Sequence, residues 1–159
     1  MTQITPSILF WYSQAALPSV IAVIAVYIAY QQWHTNALKS KLDLFDRRFR
    51  VFLEVRKVLS SVLPEATASK ENFLKFRTGV AESYFVFGPE IEKYLDEIYF
   101  HGIKLATADY RYRLPKEERA EDHDPKKVAE EMNTHLTWLT EQLPVAKEKF
   151  KKYLDVSKL

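Results

Sequence analysis

The chain has 159 residues, with 23 Lys or Arg, 21 Asp or Glu and no cysteine. The lack of cysteine excludes disulfide bonds, thiolate nucleophiles and cysteine-ligated metal sites, and the near balance of charge disfavours a dedicated nucleic-acid binder. Only three glycines occur, which disfavours glycine-rich phosphate loops and turn-dense β folds.

The N-terminal part of the chain is uncharged and apolar. No Asp, Glu, Lys or Arg precedes Lys39, and residues 8–30 read ILFWYSQAALPSVIAVIAVYIAY. This run is long enough for a helix to cross a hydrocarbon core about 30 Å thick. A secretory signal peptide is the alternative, but its positively charged start is missing here. We expect a tail and membrane anchor in residues 1–34 and a separate domain in residues 35–159.

The residues beside this run predict its orientation. No Lys or Arg precedes it, whereas several follow it, so the positive-inside rule places the N-terminus outside and the C-terminal domain in the cytoplasm. In a bacterium this membrane is the inner membrane. Aromatic and basic residues near both ends predict the contacts with the membrane interface, and they are Trp11, Tyr12, Tyr27, Tyr30, Trp33, Lys39 and Lys41.

Residues 38–62 predict a long amphipathic helix that continues or follows the anchor. Its apolar face predicts the first wall of a helical core and a set of candidate interaction residues. Arg48 and Arg56 fall within that apolar face, so each needs a carboxylate or carbonyl partner, or else extends its charged group to solvent at the edge. The interaction candidates are Leu42, Phe45, Arg48, Phe49, Phe52 and Arg56.

Three further helical segments follow. One is expected over residues 69–87, a second from Gly88-Pro89 to about Tyr112, and a third from Asp124-Pro125. We expect Pro144 to kink or split the last of them. The predicted fold is all-α, with one transmembrane helix and an antiparallel cytoplasmic bundle of about four helices.

Several stretches of the sequence resemble small bacterial single-pass membrane proteins of unassigned function with a cytoplasmic helical domain. These stretches are QQWHTN, KLDLFDRRFRVF, FGPEIEKYLDEI and TWLTEQL. The resemblance implies the fold and the topology, and it brings no catalytic residue, substrate or cofactor. Pro144, directly after TEQL, departs from the unbroken last helix that the pattern implies.

The sequence contains no recognisable catalytic constellation, so we expect neither an enzyme nor a bound cofactor. Helical bundles that hold two metal ions use a Glu-x-x-His spacing, which brings both side chains to one metal. Here Glu97 precedes His101, and Glu131 precedes His135, by four positions rather than three. A surface or core role is therefore the preferred interpretation of both histidines, and no metal site is predicted.

These features favour a membrane-anchored protein-interaction module, which associates with itself or serves as an accessory subunit of an inner-membrane complex. The expected partners are the lipid bilayer and other membrane-protein subunits, and a nucleic-acid partner is disfavoured because acidic residues alternate with the basic ones after the span. One alternative is a membrane-tethered sensor or enzyme with a weak metal or ligand site in the bundle. Another is a binder of anionic lipid surfaces.

Overall fold

A computed structural model describes residues 6–62, 68–115 and 124–155, with side chains described from residue 18 onward. Within these ranges all regular structure is helical, which confirms the all-α prediction. The chain divides into two compact units, one up to Leu42 and one from Asp43 onward. The helices are α1 (Pro6–Val62), α2 (Lys70–Gly79), α3 (Ser83–Val86), α4 (Pro89–Arg113) and α5 (Pro125–Lys151).

Helix α1 is a single element that continues through Pro18. Over the part of the chain whose side chains are described, no helix combines the length and the apolar character needed to cross a membrane. The predicted span at residues 8–30 lies partly outside that part, because side chains are described only from residue 18 onward.

The buried face of α1 is rotated away from the predicted one. Val51 and the residues at helical spacing after it are buried, whereas Leu42 and Phe49 are exposed and Phe45 and Phe52 are half-buried. At about 100° per residue, Leu42 and Phe49 lie nearly opposite Val51 on the helix. The predicted packing wall is therefore wrong for Leu42 and Phe49. The buried residues of α1 are Val51, Val55, Val58, Leu59 and Val62.

The helix predicted over residues 69–87 is interrupted in the structure. Helix α2 ends at Gly79, and a turn at residues 80–82 separates it from the single turn of α3. The backbone N–H of Val80 donates to the carbonyl of Phe76 at 3.0 Å and closes the last turn of α2. Glycine is a poor helix former, and Val80 is buried beyond it. The prediction of one unbroken helix is therefore wrong.

Helix α4 begins and ends close to where the sequence predicts. Gly88 is its N-cap and Pro89 occupies its first turn, where the missing N–H costs nothing. Glu90 and Glu92 place negative charge near the positive end of the helix dipole. Helix α4 packs against α2, α3 and α5. Its buried residues are Ile91, Tyr94, Leu95, Ile98, Gly102, Leu105, Ala106 and Ala108.

Helix α5 starts as predicted but does not split at Pro144. A carboxylate oxygen of Asp124 accepts a hydrogen bond from the backbone N–H of Lys126 at 3.0 Å and caps the first turn. The helix then continues to Lys151 with Pro144 inside it. Proline removes the N–H that would bond the carbonyl of Thr140, but both residues are exposed, so water can satisfy that carbonyl. Of the two predicted outcomes, a split at Pro144 is wrong, and a kink there stays a prediction.

Helices α4 and α5 are joined by a buried polar contact as well as by apolar packing. The hydroxyl of Tyr94 donates to the backbone carbonyl of Gln142 at 3.1 Å. Burial raises the pKa of this hydroxyl, and the charge of Glu97 raises it further. The neutral phenol therefore stays available as a hydrogen-bond donor and fixes the two helices against each other.

Candidate functional site

Apolar side chains surround α1 between residues 20 and 30, with large ones over most of the circumference and Ala22, Ala25 and Ala29 on the remaining arc. They occupy nearly every position of that stretch, and successive residues point about 100° apart around a helix. Val23 is the most exposed of them, at 70% of its full accessible area. The exposed residues are Val20, Ile21, Val23, Ile24, Val26, Tyr27, Ile28 and Tyr30. We call these residues the apolar sleeve.

Aromatic and basic residues follow the apolar sleeve. The rings of Tyr30 and Trp33 lie with their centroids 6.4 Å apart, and both are exposed. The side-chain amide of Gln31 donates to the Tyr27 hydroxyl at 3.0 Å. Lys39 and Lys41, the two predicted basic contacts, come next and are exposed. Trp11 and Tyr12 are the predicted aromatic residues at the other end of the span. They lie before residue 18, where the description of side chains begins.

Arg48 is half-buried at the edge of the buried face of α1 and has a carbonyl partner. Its Nε donates to the backbone carbonyl of Val86 at 3.0 Å. Its guanidinium carbon lies 5.9 Å from the Phe87 ring centroid and 5.4 Å from that of Tyr153. A hydrogen bond from a charged donor and two aromatic faces together compensate the desolvation of the guanidinium. Arg48 therefore connects α1 to the end of α3 and to the residues after α5.

Three of the remaining interaction candidates of α1, Phe45, Phe49 and Phe52, contact one another through their rings. The Phe45 and Phe49 rings are stacked with centroids 5.9 Å apart, and Phe49 lies 6.3 Å from Phe52. Phe52 continues into the core, 5.4 Å from the Phe150 ring. Arg56 is exposed, which agrees with the interpretation that its charge extends to solvent. The structure thus separates Arg48 and Phe52, which pack within the bundle, from the exposed residues Phe49 and Arg56.

Two histidines that the sequence places 34 positions apart meet between α4 and α5. The Nδ1 atoms of His101 and His135 are 3.1 Å apart. The His101 ring stacks on Trp138 with centroids 3.9 Å apart and planes 14° apart. Phe100 presents an edge-to-face contact to both imidazoles. We call His101 and His135 the histidine pair.

The surroundings of the histidine pair favour neutral imidazoles. Burial lowers the pKa of His101, and the neighbouring His135 lowers it further, against the opposing charge of Glu97. Burial also lowers the pKa of His135, and Lys104 adds to this, while the charge of Glu131 opposes it. Neutral imidazoles are both hydrogen-bonding groups and metal ligands.

Within the part of the chain that the structure describes, no group of three or more His, Cys, Asp or Glu residues is placed to hold a metal ion. The histidine pair is a two-residue arrangement. Sequence spacing revealed only the two Glu–His pairs within single helices, because the contact between His101 and His135 depends on how α4 packs on α5. The available signal was helical spacing, since His101 lies three positions after the buried Ile98 and His135 lies four positions before the buried Leu139.

A second exposed aromatic feature lies on α3. Phe85 is 83% exposed, and its ring makes an edge-to-face contact with the exposed Tyr84 at 5.2 Å. Such exposed aromatic pairs are uncommon on surfaces that contact only water, and aromatic residues are enriched at protein interfaces. Both residues follow the turn at residues 80–82 and face outward.

No family model matches the chain, and no curated protein or solved structure matches it either. The resemblance to small bacterial single-pass membrane proteins therefore stays a prediction that rests on the quoted stretches of sequence. Among the described residues, the features that bear on function are the apolar sleeve, the exposed aromatic residues and the histidine pair.

Proposed function

We propose that this protein is a membrane-anchored helical module that acts through protein contacts, either with copies of itself or as an accessory subunit of an inner-membrane complex. The observation that carries the proposal is the apolar sleeve. A helix that is apolar on all sides is suited to a membrane or to the interior of a large protein, rather than to water. The uncharged sequence that precedes the sleeve extends this apolar run toward residue 8.

The size of the apolar sleeve favours lipid as its surroundings. Burying one Val, Ile or aromatic side chain is worth about 1.5–3 kcal/mol, so leaving eight of them in water costs on the order of 10 kcal/mol. A single protein partner covers one face of a helix, whereas lipid covers the full circumference. Tyr30 and Trp33, followed by Lys39 and Lys41, form the aromatic and basic sequence expected on the cytoplasmic side.

The exposed aromatic residues of the second unit support a role in protein contacts. Phe85 and Tyr84 stand out on α3, and Phe49 is exposed on α1. None of the described residues of the second unit buries these rings, although each ring is large enough to contribute substantially to an interface. A bundle held at the membrane by one helix brings such residues close to other membrane-bound chains.

Native mass determination of the detergent-extracted full chain tests this proposal. We expect a defined oligomer, or a stoichiometric complex with a second subunit, that weakens in the double variant Phe49→Ser, Phe85→Ser. Tyr110→Ser, which changes an exposed aromatic residue of α4, is the matched control and is expected to leave the assembly unchanged. A protein that needs no detergent for extraction, or a strict monomer without any stoichiometric partner, would contradict the proposal.

A further inference from the structure

We propose that His101 and His135 together form a weak binding site for a divalent transition-metal ion of the Zn²⁺ class, which joins α4 to α5. The proposal does not depend on the membrane anchor, because both residues belong to the second unit. The two Nδ1 atoms are 3.1 Å apart. Two imidazole nitrogens bound to one tetrahedral zinc at about 2.0–2.1 Å lie roughly 3.3 Å apart. The two nitrogens therefore need to separate by only a few tenths of an ångström, while each ring tilts by roughly 35° to direct its lone pair at the ion.

The chemistry of the two rings suits metal binding. In the metal-free pair one Nδ1–H donates to the other Nδ1, so one ring already carries its proton on Nε2. When a metal ion enters, the donating ring moves its proton from Nδ1 to Nε2, and both Nδ1 lone pairs become ligands. Two neutral imidazoles release no net proton in this step. Imidazole nitrogen is a preferred ligand of zinc, copper and nickel.

The packing around the pair holds the rings in place. Trp138 stacks on His101 and restricts its rotation, and Phe100 contacts the edges of both rings. Both histidines are half-buried, so part of each side chain is accessible to solvent. A fixed pair of ligands loses less conformational freedom on binding than two mobile surface side chains do.

The charges that face the pair come from both helices. Glu97 precedes His101 on α4 by one turn, and Glu131 precedes His135 on α5 by one turn. Glu131 forms an ion pair with Arg111, whereas Lys104 lies with its ammonium 5.7 Å from the Phe100 ring centroid. Glu97 favours a cation, Arg111 offsets the charge of Glu131, and the lysine opposes a cation. With only two protein nitrogens as ligands, water completes the coordination sphere and the affinity is modest.

The effect of an occupied site follows from its position. Metal binding across two helices stabilises the folded bundle, because the unfolded chain does not hold the two histidines together. The site therefore gives the bundle a stability that responds to the concentration of free metal ion. This distinguishes it from a purely structural histidine contact.

Isothermal titration of the full chain in detergent with Zn²⁺ tests the proposal. We expect one strongest site per chain, and at least about a tenfold loss of affinity in His101→Gln and in His135→Gln. His34→Gln and His123→Gln change the two other histidines of the chain and are the matched controls, with affinity expected to stay unchanged. Equal affinity of the native chain and the His101→Gln, His135→Gln double variant would overturn the proposal.

X-ray absorption spectroscopy of the zinc-loaded native chain gives a test that needs no variant. We expect a coordination shell with two imidazole ligands and additional oxygen ligands. A shell with fewer than two imidazole ligands would overturn the assignment to His101 and His135. None of these outcomes bears on the membrane proposal, so failure of the zinc site can be distinguished from failure of the proposed membrane anchor.

Discussion

Replacement of Gly102 by alanine is expected to lower the free energy of unfolding of the bundle by about 3 kcal/mol. Gly102 is buried on α4, and a methyl group there would lie 2.0 Å from the Cε1 atom of Phe73. Phe73 is itself fully buried on α2, so its ring has no free space into which to move. The close approach of α2 to α4 therefore requires a residue without a side chain. Alanine is the better helix former by about 1 kcal/mol, but that gain is smaller than the cost of the clash.

Urea denaturation of the full chain in detergent, followed by circular dichroism, measures this effect. Gly79→Ala is the matched control, because its new methyl group would meet only the flexible side chain of Glu54, at 3.1 Å. We expect that control to change the unfolding free energy by less than about 1 kcal/mol. Adding Phe73→Leu to Gly102→Ala is expected to restore part of the loss. Equal stability of the Gly102→Ala and Gly79→Ala variants would contradict the packing of α2 on α4.

Replacement of Phe150 by alanine is expected to cost about 4 kcal/mol of unfolding free energy. Phe150 is fully buried near the end of α5. Its ring centroid lies 5.4 Å from that of Phe52 on α1 and 5.2 Å from that of Phe87 before α4. Removing the ring leaves a cavity where three parts of the bundle meet. Such a loss is a large share of the typical total of about 5–15 kcal/mol for a small domain.

Phe85→Ala provides the matched control for Phe150→Ala, since the same atoms are removed from a side chain that is mostly exposed. We expect Phe85→Ala to change the unfolding free energy by no more than about 0.5 kcal/mol. Thermal or urea denaturation of both variants gives the comparison. If both variants lost the same stability, the described core around Phe150 would be incorrect.

Sequence reasoning succeeded where the signal is local. The start of α4 at Gly88-Pro89 and the start of α5 at Asp124-Pro125 were both predicted, because capping and proline chemistry act within one turn of the chain. The all-α class followed from helical spacing of apolar residues and from the shortage of glycine. These features do not depend on which helix packs against which.

Sequence reasoning failed where the packing between helices decides the outcome. The buried face of α1 follows Val51 and Val55 rather than Phe49, because Val51 and Val55 belong to the same core cluster as residues of α2, α4 and α5. Pro144 stays inside α5 because it faces outward, which composition alone does not reveal. The partner of Arg48 is the backbone carbonyl of Val86 on α3, and this contact depends on packing that the sequence does not show.

The histidine pair is the clearest case of a site that spacing alone does not reveal. His101 and His135 come together only through the contact between α4 and α5. Within each single helix, sequence spacing showed a glutamate four positions before the histidine. The predicted interaction residues Phe49 and Phe52 have the same side chain but different surroundings. Phe52 packs on Phe150, whereas Phe49 remains exposed.

Cysteine labelling tests the central claim, that this protein is anchored in a membrane with its helical bundle on the cytoplasmic side. The native chain has no cysteine, so single substitutions can be labelled against a silent background. In intact bacterial spheroplasts treated with a membrane-impermeant maleimide, Thr2→Cys is expected to react at once, and Ser69→Cys only after lysis. Reaction of Ser69→Cys in intact spheroplasts, or recovery of both variants in the fraction that contains no membranes, would contradict the claim.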